Sequence, residues 1–517
     1  MDDRFSKLRS FLWPIHRHEL SKFVPMLLLF FLISFNYHIL KILKDTLIIT
    51  APNSGAEVIP FLKVWAILPS AILLTFLFTK LSSKFNREKI FYVMISIFLV
   101  FFAIFIFVLN PNAGLYQLDS MSDYLSLHMP HGFKGMIAIV RYWHFSLFYI
   151  MAEAWSTIML SLLLWIFVVD VLSINEAKRY YAFFGTSRNF AGIVSGLLGE
   201  YLADKALSNQ GAVTGIGKFF GCHTVWDQTL FIFISVILVC GILIMGLYRY
   251  MHVAIYPQRY LMGSDIQNKG KQKISFRESV MYAFKSKYVL YIALIVLCYN
   301  ILINFSEVLW KSQMKELYPT SSEYTAYTSK ITYLTGIIAA TSSFFISGNL
   351  IRRLGWKFTA MVTPIVLLLT GLGFFYFLFL KNHSLSSNLA ITFLGISPLA
   401  LAVFFGSLQN IFSRALKYTI FDDTKEMAFI PLTPQEKLKG KSVIDGIGSR
   451  LGKSGSSLMM QILLMVFASP IGASPYIFVI FILTVPVWIM AINRVSKTFE
   501  EKANVKEEKL ETETTYS

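Results

Sequence analysis

Twelve apolar stretches, each near the length that crosses a hydrocarbon core, decide what this chain can fold into. They cover about 24–49, 59–79, 90–109, 136–169, 183–203, 229–250, 288–310, 331–350, 358–380, 388–412, 442–467 and 474–494. A bilayer core takes roughly 20 helical residues, and its lack of water forces each backbone polar group to find a partner within the segment. The reading is an all-α integral membrane protein. With 55% hydrophobic and only 15% charged residues, a soluble domain is excluded. The first stretch follows Arg4, Lys7, Arg9, Arg17 and Lys22. It is too long for the apolar core of a cleavable signal and lacks a small-residue cleavage site, so it is expected to stay as a helix. The fourth is longer than a bilayer needs and is expected to tilt or to run on past the membrane.

Orientation follows from the loops. Lys80, Lys84, Arg87 and Lys89, then Lys178 and Arg179, then Arg249 to Lys287, then Arg352, Arg353 and Lys357, then Arg414 to Lys441 all fall on the side of the N-terminus. The positive-inside rule makes that side cytoplasmic, and an even number of spans returns the C-terminus to it. The net charge of +17, from 47 basic and 30 acidic residues, is therefore read as loop bias and not as nucleic-acid binding. The three cysteines form neither a disulfide framework nor a metal cluster.

The longest basic loop, 251–287, is rich in Gly, Ser, Asn and Gln and reads as a linker. It divides the chain into a cytoplasmic segment 1–23, a six-helix bundle 24–250, the linker, a second bundle 288–496 and a charged cytoplasmic tail 497–517 expected to be disordered. Six plus six invites a search for a repeat. Tyr37-His38-Ile39-Leu40 aligns with Tyr299-Asn300-Ile301-Leu302 at an offset of 262, which sets Lys44 against Ser306 and Asp45 against Glu307. Glu176-Ala177-Lys178-Arg179 aligns with Glu436-Lys437-Leu438-Lys439, and Gly192 with Gly452, at an offset of 260. Parallel six-helix halves around a central site describe a major-facilitator-like transporter.

Charges inside the spans mark the site, because each costs roughly 2.5–3.5 kcal/mol at the centre of a membrane helix by insertion scales. They are Lys41, Lys44, Glu153, Arg188, Glu307, Arg450 and Lys453. Lys44 and Asp45 could also end a helix and snorkel to headgroups. Asn300, Asn304, Glu307 and Lys311 recur at helical spacing and form one polar stripe, and Tyr37, Lys41 and Lys44 form another. Tyr149 shares a face with Glu153. Basic residues outnumber acidic ones, which implies an anionic substrate. Pairing of Glu153 or Glu307 with a lysine is the competing structural reading, and it leaves positive charge over. Gly192, Gly196 and the glycines of 446–455 are read as helix packing before substrate contact.

Two patterns compete. Gly452-Lys453-Ser454 resembles the end of a phosphate-binding loop, but Ile447 stands where that motif needs glycine and no strand precedes it. His38 and His144 lie in apolar spans and raise a membrane-embedded transferase, yet no nucleophile–His pair or metal grouping accompanies them. A channel is a third class, which saturable counter-exchange would exclude.

Longer motifs then carry a resemblance. Lys44-Asp45-Thr46-Leu47-Ile48-Ile49-Thr50-Ala51, Ala56-Glu57-Val58-Ile59-Pro60-Phe61-Leu62-Lys63, Met151-Ala152-Glu153-Ala154-Trp155, Lys425-Glu426-Met427-Ala428-Phe429-Ile430-Pro431-Leu432 and Leu451-Gly452-Lys453-Ser454-Gly455 closely resemble the ATP:ADP antiporters of obligate intracellular bacteria and plastids. The resemblance covers spans one to eleven. It implies exchange of host ATP for bacterial ADP, with or without phosphate, across the inner membrane, by a carrier without cofactors and expected to be monomeric. It also implies that the family's functional charges fall on Lys44, Glu153, Glu307 and Lys453. Where plastid members read Arg-Asp-Thr-Lys-Asp, this chain has Lys41-Ile42-Leu43-Lys44-Asp45, which leaves the nucleotide preference open. Proton-coupled net import of several nucleotides is the alternative within the family.

Overall fold

The computed structural model describes residues 15–515 apart from 83, 209–212, 256–280, 282–284, 346, 382–394, 442–443 and 445–448. Twelve long helical segments carry the fold: α1 (Leu20–Ile49), α2 (Val58–Ser82), α3 (Arg87–Leu109), α4 (Trp143–Val171), α5 (Ile174–Ser208), α6 (Val225–Ile255), α7 (Lys287–Leu317), α8 (Ser321–Phe345), α9 (Ser347–Leu380, kinked at Gly355 with φ 77°), α10 (Pro398–Met427), α11 (Ser449–Phe467) and α12 (Pro470–Thr515). No strand occurs among the described residues.

Two apolar cores hold the bundle. One joins α1, α3, α4 and α6 through Phe30, Phe91, Phe98, Trp155 and Tyr248, with Phe91 stacked on Tyr248 at 3.7 Å. The other joins α7, α9, α10 and α12 through Tyr299, Phe374, Phe421 and Trp488. Among the described residues nine helices are long and apolar enough to cross a membrane, and α5, α8 and α11 fall short of that mean hydropathy. Each still carries exposed apolar side chains: Phe190 and Leu197 on α5, Ile337 on α8, and Ile462 and Val466 on α11. Helices α5 and α8 meet across the two halves, so close that a Cβ at Gly196 would stand 2.6 Å from the backbone nitrogen of Tyr333, and one at Gly336 would stand 2.9 Å from the Asn189 carbonyl. Gly192 and Gly196 thus act in packing.

The repeat is visible in contacts. A Cβ at Gly192 would meet the ring of His38 at 3.2 Å, and one at Gly452 would meet the Asn300 amide at 3.0 Å. His38 and Asn300 are repeat partners, as are Gly192 and Gly452, so α1 packs on α5 as α7 packs on α11.

Several boundaries differ from the sequence reading. The fourth span is two helices: Lys134–Arg141 ends at Tyr142, whose φ of −107° and ψ of 47° break the run before Trp143. The remaining helix, Trp143–Val171, still has 29 residues, more than the roughly 20 that a bilayer core takes. Helix α8 starts ten residues earlier than expected because Thr320 and Glu323 cap each other's backbone, Glu323 N donating to Thr320 Oγ1 and Thr320 N to the Glu323 carboxylate. Helix α10 begins at Pro398, capped by Ser397, so its register lies later than 388–412. The tail expected to be disordered continues α12 to Thr515; Glu, Lys and Ala favour helix even without a core. Most of the 251–287 linker lies outside the described residues.

Candidate substrate site

The charged side chains of the spans converge where the halves meet. Lys44 on α1 is mostly buried and donates to the Glu153 carboxylate on α4. Its ammonium also stands 4.1 Å from the centre of the Tyr149 ring, one helical turn before Glu153. Glu307 on α7 is a hub. Its carboxylate faces Lys311 at 2.9 Å, Arg414 of α10 at 3.1 Å and Lys63 of α2 at 3.9 Å. Lys63 donates to Asn304 Oδ1 at 2.7 Å, and Asn304 Nδ2 donates to Ser456 Oγ at 2.5 Å on α11. Lys311 reaches across to Asp45 of α1 at 2.8 Å, and both side chains are only 5% exposed.

Local helix geometry presents these groups. π-type turns cover Leu62–Ile67, which holds Lys63, Ser156–Leu163 just after Glu153, and Lys417–Phe421 just after Arg414. Such turns insert one extra residue and cluster at functional sites.

The expected site residues are distributed as follows. Lys44, Tyr149 and Glu153 form one group; Glu307, Lys311 and Asn304 form the second. Lys453 is exposed and lies within electrostatic reach of Glu153. Lys41 lines a cleft with Asp45, Lys311, Tyr324, Asn410 and Arg414. Tyr37 lies within electrostatic reach of Glu153, Arg414 and Lys44. Arg188 stands over the Tyr418 ring at 5.9 Å. Asn300 donates to its own helix, at the Val296 carbonyl, and serves packing. The Arg450 side chain lies outside the described residues. Tyr149 is 1% exposed, so in this conformation it supports Lys44 and offers no face for a base to stack on.

Three contributors escaped the sequence reading. Arg414 was placed in a basic loop because α10 was begun ten residues too early; the Ser397-Pro398 cap and first-turn proline would have corrected it. Lys63 was quoted only within a motif, although it is a charge inside an apolar span. Asp45 enters the sequence reading only as a possible helix end beside Lys44, although its repeat partner is Glu307.

Neither competing pattern gains a site. Lys453 lies within helix α11 and not in a loop. Both His144 nitrogens are buried without a hydrogen-bond partner among the described residues, and His38 packs on Gly192.

A helical bundle in two repeated halves, with a charged seam between them, has a major-facilitator-like fold. The fold is similar to that of a D-xylose–proton symporter (TM-score 0.51, 12% identity, 92% of this chain and 97% of that one). It is also similar to a bacterial homologue of the iron transporter ferroportin (TM-score 0.52, 11% identity, 93% and 98%). The chain belongs to the TLC ATP/ADP transporter family, whose model matches residues 1–499. It is 41% identical over 508 residues to ADP,ATP carrier protein 1 of Chlamydia muridarum, covering 98% of this chain and 94% of that one. It is 38% identical over 516 residues to ADP,ATP carrier protein 1 of Rickettsia typhi, covering 98% and 99%.

Proposed function

We propose that this protein exchanges external ATP for internal ADP, with or without phosphate, by alternating access across a bacterial inner membrane, with both termini cytoplasmic and the chain acting as a monomer. The observation that carries the reading is the charge balance of the seam. Lys41, Lys44, Lys63, Arg188, Lys311, Arg414 and Lys453 supply seven positive charges against three from Asp45, Glu153 and Glu307. Among the described residues no carboxylate lies within ion-pair distance of Lys41, Arg188 or Lys453. Such a surplus suits a polyphosphate, whose oxygens accept several charge-assisted hydrogen bonds at once.

The carboxylates have a matching role. Glu153 and Glu307 hold Lys44, Lys63, Lys311 and Arg414 while the site is empty. Phosphate oxygens then take over these cations, with Lys44 and Lys453 meeting the phosphates from opposite halves. The cation-rich empty seam is costly to carry across the low-dielectric barrier, so loaded carriers cross faster than empty ones.

The experiment is uptake of labelled ATP into liposomes that contain ADP, ATP or no nucleotide. Exchange predicts uptake only with internal nucleotide and no effect of a proton uncoupler. Full uptake into empty vesicles, abolished by the uncoupler, would instead establish proton-coupled import.

A further inference from the structure

The same cations that suit a polyphosphate also fasten the two halves together. Along one seam, at the end of the bundle that carries the turns after α1 and α7, Lys311 Nζ donates to Asp45 Oδ2 at 2.8 Å. Thr46 Oγ1 lies 3.1 Å from Thr325 Oγ1 and Thr50 Oγ1 lies 2.8 Å from Ser321 Oγ. Lys315 donates to the Ser54 carbonyl. Each bond links the first half to the second. The Asp45–Lys311 pair is buried and is the only ion pair in this group.

Lys311 has a second carboxylate. Glu307, one turn back on the same helix, holds it at 2.9 Å, so Lys311 remains paired whether or not the halves are joined. Asp45 is placed differently. Its Oδ2 accepts from Lys311, and its Oδ1 is buried with no hydrogen-bond partner among the described residues. When the halves part at this end, Asp45 loses its one ion-pair partner among the described residues and keeps only the longer-range charge of Lys44 beside it, while Lys311 keeps Glu307. An uncompensated buried carboxylate is far more costly than the intact pair. That cost falls on the empty carrier alone if the substrate brings groups that rearrange the cations around Asp45.

Resting on the nucleotide-exchange reading, we propose that Asp45 is the residue that makes exchange obligatory. It acts as a latch that keeps the empty carrier closed at this end and yields when substrate phosphates occupy Lys311 and Glu307's other cations. Asp45 touches no substrate in this scheme and is a coupling residue. Thr46, Thr50 and Lys315 close the seam without charge complementarity and add no dependence on occupancy.

The test compares Asp45→Asn with the charge-preserving Asp45→Glu in ATP-uptake liposomes, each with and without internal ADP. Asp45→Asn removes the cross-half charge pair and leaves Lys311 held by Glu307. The expected result is at least a tenfold rise in uptake into nucleotide-free vesicles relative to wild type, with exchange retained, while Asp45→Glu keeps strict dependence on internal nucleotide. The proposal is overturned if Asp45→Asn exchanges as strictly as wild type, or if both variants uncouple alike. If Asp45→Asn does not assemble, the T50C/S321C pair reads the same seam. Its disulfide formation under added oxidant should slow severalfold when ATP is present, and an unchanged rate overturns the proposal. Wild-type vesicles separate the two readings, because failure of wild-type exchange sinks the assigned function regardless of the latch.

Discussion

The ammonium of Lys44 rests on the face of Tyr149, 4.1 Å from its centre, while the same group donates to Glu153. The ring holds the cation in place whether Glu153 or a phosphate is its anionic partner. Cation–π contacts contribute about 0.5–2 kcal/mol, and each ~1.4 kcal/mol is about tenfold in an equilibrium constant. Tyr149→Leu should therefore raise the KM for ATP by roughly 2- to 30-fold. Tyr149→Phe, which keeps the face, should stay within about twofold. Exchange kinetics in liposomes distinguish them, and equal effects of the two substitutions would remove the ring from the account.

Glu153→Gln takes away the anion that compensates Lys44 in the empty site. Glu153 is partly solvated, so the loss in the empty carrier is set at roughly 1–3 kcal/mol, below the figure for a fully buried pair. Bound phosphate restores an anionic partner. The thermal shift on adding ATP should consequently be larger for Glu153→Gln than for wild type. A smaller shift would mean that Glu153 contacts the substrate favourably instead of holding its place.

The α5–α8 contact leaves no room at Gly196, where a methyl group would stand 2.6 Å from the Tyr333 backbone nitrogen. Gly455 on α11 has open space at its Cβ position. Gly196→Ala should destabilise the purified protein by about 1–3 kcal/mol through overpacking, whereas Gly455→Ala should be neutral or slightly stabilising because alanine favours helix. Thermal denaturation in detergent gives the comparison.

Glu176, in the first turn of α5 and outside the span 183–203, supplies a pH dependence. Burial opposes its ionisation, but the Lys22 hydrogen bond at 2.7 Å and those from Ser173 overcome that and hold its pKa below the ordinary 4.5. A carboxylate depressed in the folded state stabilises it above the unfolded value, and this stability is lost as pH falls through the folded value. The melting temperature should drop as the pH is lowered past 4.5. Glu176→Gln should flatten that part of the profile while lowering stability at neutral pH.

Much of this was readable in the sequence because lipid imposes a strong length and polarity rule on every span. The repeat offset found Asp45 opposite Glu307, and the fold joins both to Lys311. What escaped followed from register. Arg414 sits sixteen residues into α10, yet it looked like a loop residue once the helix was begun at 388 and not at Pro398. The break at Tyr142 was missed because hydropathy carries no backbone angle, although Arg141 and His144 interrupt the apolar run there. Lys63 and Glu307 approach from different halves, a proximity that one helix's periodicity does not encode.

The π-type turns beside Lys63, Glu153 and Arg414 each carry one residue more than an α-helix needs. The wider turn absorbs that residue, so removing it restores regular winding while the helix beyond keeps its face, whereas a deletion from a regular turn swings everything beyond it by about 100° around the helix axis. Single-residue deletions should thus be tolerated better at these turns than elsewhere in the same helices. Relatives that differ by one residue within these helices should carry the gap there.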